Sequence, residues 1–366
     1  MVIERIKQTR LYHHVVKLAD FFPAIFFFGG FLWDALTIGR NVAYSDLITF
    51  CVYLAISAGI LFTMGSSRGG WVDEERFPKW MVALFKRLYW ENLPYFLLQF
   101  IFGNLLSSLF ILYFKSSNHW LAWLMSIILG VMLVANEYLE DEYRQFTLSW
   151  ALFGFCAMLL FNFILPFLVG SINAVWFYVS TMLGAGLSYL LYKKTPDHDG
   201  SIWPVWVLAT FLMLAYTFDM IPPVPLVKRD IAVAYALNKM DGNYHLSQEP
   251  SSWWVFWRET SNDLHVVAGQ HVYCFSSVFA PSGLKTRLFH VWQYYDRKMG
   301  WQTRSRVGFT LSGGRYNGFR GYTFKSDLQK GDWKVMVETE NDKTVAVLEF
   351  TVNDEPSSLP PLVKIY

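Results

Sequence analysis

Between Lys17 and Ile221 the chain repeatedly runs for stretches of about 20 residues with almost no charge, the length a helix needs to cross roughly 30 Å of hydrocarbon. Seven such runs, at 17–36, 45–64, 93–114, 119–137, 147–170, 172–192 and 202–221, predict seven transmembrane helices. They stop at Ile221-Pro222-Pro223-Val224-Pro225, and beyond Asn243 the apolar spacing changes from helical to two-residue alternation. The expected architecture is therefore a membrane helical bundle over 1–221, a proline-containing linker over 222–242 and an all-β domain over 243–366.

Composition supports the membrane assignment. Only 16% of positions are charged and 54% are hydrophobic, whereas soluble domains carry roughly 25% charge. The first run precedes six more and has no small-residue cleavage site, so it is expected to remain as a span rather than leave as a signal peptide. Pro166, Gly170, Ser171 and Asn173 must form a very tight turn between the fifth and sixth runs.

Loop charge sets the orientation. Arg5, Lys7, Arg10 and Lys17 at the start, Arg68, Arg76, Lys79, Lys86 and Arg87 in the second loop, Arg144 in the fourth, and Lys193 and Lys194 in the sixth lie on one side. Only Arg40 and Lys115 lie on the other. The positive-inside rule places the N-terminus in the cytoplasm and, with an odd number of spans, the β-domain outside it. In a bacterium these are an inner-membrane position and the periplasm.

Between the second and third runs, Phe77, Met81, Leu84, Phe85 and Leu88 share one helical face, with Lys79, Lys86 and Arg87 elsewhere. A helix over about 77–91 is expected to lie in the interface with its cations toward lipid headgroups. At the end of the fourth run, Glu137, Glu140 and Asp141 share a face at helical spacing, and Arg144 stands four residues after Glu140. These carboxylates are a solvated helix end, a structural or partner contact, or, together with Asp219, the site of a membrane enzyme or transporter acting on a lipid-linked substrate. Asn104, Asn162 and Asn173 are further polar groups within or beside runs.

In the β-domain, strands are expected at 253–257, 270–279, 284–295, 302–311, 318–324, 333–339 and 344–352, with a hairpin across Glu340 to Lys343. Seven short strands in about 110 residues suggest an immunoglobulin-like sandwich. Cys274 is the lone cysteine of this domain, so its stability must come from packing rather than a disulfide.

Residues 285–325 hold nine cations against the single acid Asp296. Arg287, Arg304, Arg306, Arg315, Arg320 and Lys325 alternate here with His290, Trp292, Tyr316 and Tyr322. Cations mixed with aromatic rings suit an anionic glycan, a lipid headgroup or an acidic partner protein. Nucleic acid would satisfy the same chemistry but is not expected outside the cytoplasm. The glycines from Gly313 to Gly321 can either open backbone N–H groups to an anion or turn a sheet corner. His245, His265, His271 and His290 lack metal-ligand spacing, and there is no nucleophile elbow, so no metal, cofactor or catalytic residue is expected in this domain.

The runs Ile221 to Leu226, Val272 to Pro281, His290 to Trp292, Gly313 to Lys325 and Gly331 to Glu338, in that order, resemble a bacterial family, domain-of-unknown-function family 2914. The resemblance covers roughly 222–352. It implies a multi-pass membrane region ahead of the C-terminal domain and an envelope location, and it places His290, Trp292, Arg315 and Arg320 in the family pattern. It implies no activity. The combined expectation is a non-enzymatic membrane protein whose outer β-domain binds an envelope component through the 285–325 basic-aromatic segment.

Overall fold

A computed structural model describes residues 44–68, 93–116, 126–132, 146–196, 200–251, 255, 259–267, 269–280, 284–312, 319–354 and 360–366. These fall into two units, one drawn from 1–113, 125–161 and 179–214, the other from 114–124, 162–178 and 215–366.

Five helices are labelled in chain order: α1 Tyr44–Arg68, α2 Leu93–Ser116, α3 Phe146–Val169, α4 Ala174–Lys194 and α5 Trp203–Thr217. Residues 126–132 are also helical. Among the described residues four segments are long and apolar enough to cross a membrane: Ser45–Gly65, Leu97–Phe114, Phe146–Val169 and Ala174–Lys194. The expected count of seven is thus not supported. Helix α5 has 15 residues, about 23 Å at 1.5 Å per residue, and stops short of the expected 221. Asp219 adopts φ 58°, its N–H returns to the Tyr216 carbonyl at 3.1 Å, and Pro222 and Pro223 cannot extend the helical ladder. The expected span 17–36, the interfacial helix 77–91 and all of 119–137 except 126–132 lie outside the described residues.

Within the first unit, small residues allow close approach. A Cβ added at Gly184 of α4 would lie 2.6 Å from the Met158 Cα of α3. Trp150 is fully buried and meets Tyr192 edge to face at 5.7 Å. The turn after α3 follows its residues: Gly170 at φ 69° donates to the Pro166 carbonyl, and Asn173 Oδ1 caps α4 by accepting the Val175 N–H at 3.2 Å.

Among its described residues the second unit has eleven strands: β1 Val227–Ala234, β2 Ala236–Met240, β3 Asn243–Gln248, β4 Asp263–His265, β5 His271–Phe279, β6 Lys285–Asp296, β7 Gly300–Ser312, β8 Phe319–Ser326, β9 Gly331–Thr339, β10 Thr344–Asn353 and β11 Leu362–Ile365. Three sheets form, ordered β1-β5-β8, β4-β10-β9-β6-β7 and β11-β3-β2. The first two share one core, as Val278 and Phe319 pack with Leu288 and Val337, and Val272 and Cys274 pack with Trp292, Val335 and Phe350. This is a β-sandwich, held by side chains each worth about 1.5–3 kcal/mol on full burial. The small third sheet covers part of the outer face of the first through Leu246, Tyr244 and Tyr366 against Ala232, Ala234 and Phe275.

Strands β5 to β10 occupy the expected segments. Residues 227–240, expected as linker, instead form β1 and β2, and β1 pairs along β5 from Val227↔Phe279 to Ala234↔Tyr273. The burial of β1 is not alternating, because a bulge between Lys228 and Asp230 and a run of small residues inserted between two layers erase the period-2 signal. Of the expected strand at 253–257 only Val255 is described, and it lies in no strand.

Candidate functional site

Alternation in β6 and β8 decides where the candidate residues go. Leu288, His290 and Trp292 point into the sandwich, so Arg287 and Phe289 point out of the five-stranded sheet. Phe319 and Thr323 point inward on β8, so Arg320, Tyr322 and Phe324 point out of the three-stranded sheet. The described residues of the basic-aromatic segment are therefore divided between opposite faces and an interior, and do not share the single face expected from the sequence.

His290 and Trp292 belong to the interior, both at 0% exposure. The imidazole bridges Ser276 Oγ at 2.7 Å and Thr323 Oγ1 at 2.9 Å, and the Trp292 indole N–H donates to the same Thr323 oxygen at 3.1 Å. A neutral imidazole, one nitrogen donating and one accepting, satisfies both hydroxyls. Burial pushes the His290 pKa down to about 3, which keeps it neutral. A ring sealed from solvent and uncharged is a structural crossbrace between the two sheets, and offers no route to an external substrate.

On the five-stranded sheet, Arg306 stacks over Phe289 at 4.1 Å and pairs with Asp342 at 2.7 Å, while Arg304 lies over Tyr294 at 5.5 Å. Arg287 is exposed. Lys325 reaches Ser305 Oγ at 3.5 Å, near the β7–β8 boundary. Arg315 and Tyr316 lie outside the described residues, as do Glu137, Glu140 and Asp141. Asp219 faces Lys343, with 3.7 Å between carboxylate and ammonium, and accepts the Thr344 hydroxyl at 3.1 Å. It is engaged within the protein.

The outer face of β1-β5-β8 gathers what the sequence did not predict. Cross-strand pairing sets Tyr273 opposite Phe324, Phe275 opposite Tyr322 and Ser277 opposite Arg320. The rings continue as a strip: His271 to Phe324 at 5.3 Å, Tyr273 to Phe324 at 5.7 Å, Tyr273 to Tyr322 at 6.4 Å and Tyr322 to Tyr244 at 6.2 Å. Tyr322 is 45% exposed and Phe324 55%. Lys239 stands over the Tyr244 ring at 5.6 Å, and the Arg320 guanidinium holds the adjoining edge through the Gly242 carbonyl at 3.2 Å and Asn243 Oδ1 at 3.4 Å. Ionic and aromatic groups thus meet at one accessible surface. His271, Tyr273, Phe324, Tyr244 and Lys239 were not among the expected site residues. The spacing His271-x-Tyr273-x-Phe275, read beside Tyr322-x-Phe324, carried the signal, since residues two apart share a face.

Residues 285–352 match the family described as Protein of unknown function (DUF2914), which shows the resemblance over that segment. None of the curated proteins matches the chain. Among solved structures, an immunoglobulin-like protein from Pseudomonas aeruginosa is 11% identical, with coverage of 34% of this chain and 98% of that one at a TM-score of 0.20. A beta-glucosidase from Listeria innocua is 11% identical, with 34% and 16% covered and a TM-score of 0.19. A GH3 beta-glucosidase from Bifidobacterium adolescentis is 11% identical, with 36% and 18% covered and a TM-score of 0.18. The match to the Listeria enzyme spans 16% of its length, and TM-scores this low carry nothing about activity.

Proposed function

We propose that this is a multi-pass bacterial inner-membrane protein with a cytoplasmic N-terminus and a periplasmic, immunoglobulin-like β-domain that binds an anionic envelope component without catalysis. The observation that carries the reading is the solvent-open strip His271, Tyr273, Phe324, Tyr322 and Tyr244, edged by Lys239 and Arg320. A glycan chain suits it best. Sugar C–H faces stack on aromatic rings, tyrosine hydroxyls and the Arg320 edge offer hydrogen bonds, and rim cations favour acidic substituents. A lipid headgroup or an acidic partner protein would use the same cations but has less need of five successive rings.

The test is titration of the full-length protein in lipid nanodiscs with acidic and neutral oligosaccharides, repeated on Tyr322→Ala and Phe324→Ala. Both side chains are about half exposed, so the variants should keep the wild-type unfolding midpoint while losing binding at least tenfold. Affinity should fall with added salt for the acidic sugar only. Saccharide binding that survives both substitutions, or binding lost equally in Arg306→Ala on the opposite sheet, would move the site elsewhere.

A further inference from the structure

Asn162 lies on α3 and is 2% exposed, yet among the described residues neither its Oδ1 nor its Nδ2 meets a hydrogen-bonding partner. Buried amides almost always have one. Asn162 lines a cavity walled by Pro166, Phe177, Tyr216 and Pro223, with Asn173 as the other amide residue. The room for the centre of a water molecule there is about 10 Å³, which matches a single one. Three features define what the cavity accepts. Pro166 has no N–H, so the Asn162 carbonyl lacks its donor four residues on. The Asn173 Oδ1 is already taken by the Val175 N–H at 3.2 Å and the Asn341 amide at 3.3 Å. Among the described residues lining the cavity, none carries an ionised group.

The Asn162 carboxamide offers both donors and acceptors, so a cation or an anion would answer only half of it. We propose that this cavity is a binding site for one water molecule, which donates to the Asn162 Oδ1 or carbonyl and accepts from Nδ2. The water fixes the end of α3 where Pro166 interrupts the ladder, ahead of the Gly170 turn.

The experiment is a structure of the full chain in lipid at a resolution that shows solvent, combined with water relaxation dispersion on wild type and on Asn162→Leu, which keeps the side-chain shape. The expected result is one solvent peak at about 2.7–3.2 Å from the Asn162 amide and the loss of one slowly exchanging water in the variant. A peak ringed only by oxygens at about 2.4 Å, with thermal stability that drops when sodium is replaced by choline, would make it a cation site and overturn the proposal. So would an Asn162 amide paired directly to protein with no peak. If Asn162→Leu fails to fold, the wild-type solvent peak and the sodium exchange still decide.

Discussion

The Lys343 ammonium, on the β9–β10 hairpin, donates to the Tyr216 carbonyl and lies 4.7 Å from the centre of the Tyr216 ring. It also reaches the Thr217 carbonyl at 3.4 Å and faces Asp219 at 3.7 Å, although the residue is only 9% exposed. A cation at the last turn of a helix meets carbonyls that have no helical donor and the negative end of the dipole. Lys343 is therefore the C-terminal cap of α5.

Lys343→Met should lower unfolding stability by about 2–3 kcal/mol, because the carbonyls and Asp219 lose a charge-assisted partner in a mostly buried place. Lys343→Arg should recover part of the loss. Thermal unfolding in detergent measures both. An unchanged midpoint in Lys343→Met would remove the capping role.

Stability should also depend on pH through His290. Its folded pKa, about 3, is below the ordinary histidine value of 6.5, so the unfolded chain takes up a proton first as pH falls. The contribution of the neutral, buried ring is fully present above about 6.5 and is lost on acidification toward 3, by up to about 1.4 kcal/mol per pH unit. Denaturant titrations of wild type and His290→Gln across pH 7 to 4 should show a steeper acid loss in the wild type.

Thr323 serves two buried partners, so Thr323→Val strands both the Trp292 N–H and one nitrogen of His290. A loss of about 2–4 kcal/mol is expected, larger than the roughly 1 kcal/mol expected of Ser276→Ala, which removes a single hydrogen bond to His290. Equal effects of the two substitutions would contradict the sharing of Thr323.

In the first unit, Gly184→Ala sets a methyl 2.6 Å from the backbone of Met158, and a backbone atom cannot swing aside. A penalty of about 1–3 kcal/mol is expected. Gly186→Ala meets nothing within 4 Å and should be neutral or slightly stabilising. Comparing the two midpoints in one detergent isolates the close helix approach from helix propensity.

Much of this protein is written locally. Apolar length marks α1 to α4, the glycine and asparagine at Gly170 and Asn173 close one helix and open the next, and two-residue alternation marks β5 to β10. Those signals depend on a residue and its near neighbours, so they survive in a one-dimensional reading. Helix α5 ended earlier than its apolar run because Asp219 and a lysine 124 residues downstream terminate it. Strand β1 escaped notice because Ala232 and Ala234 are buried by partners on β5 and by the third sheet, which composition does not announce. The candidate site shows the same division. The sequence brought cations and aromatics together along residues 285–325, but strand alternation turned His290 and Trp292 inward and sent Arg306 and Arg320 to opposite sheets. Only pairing of β5 with β8 joined Tyr273 to Phe324 across 51 positions of chain, since a surface formed by two strands is a property of their register and not of either segment alone.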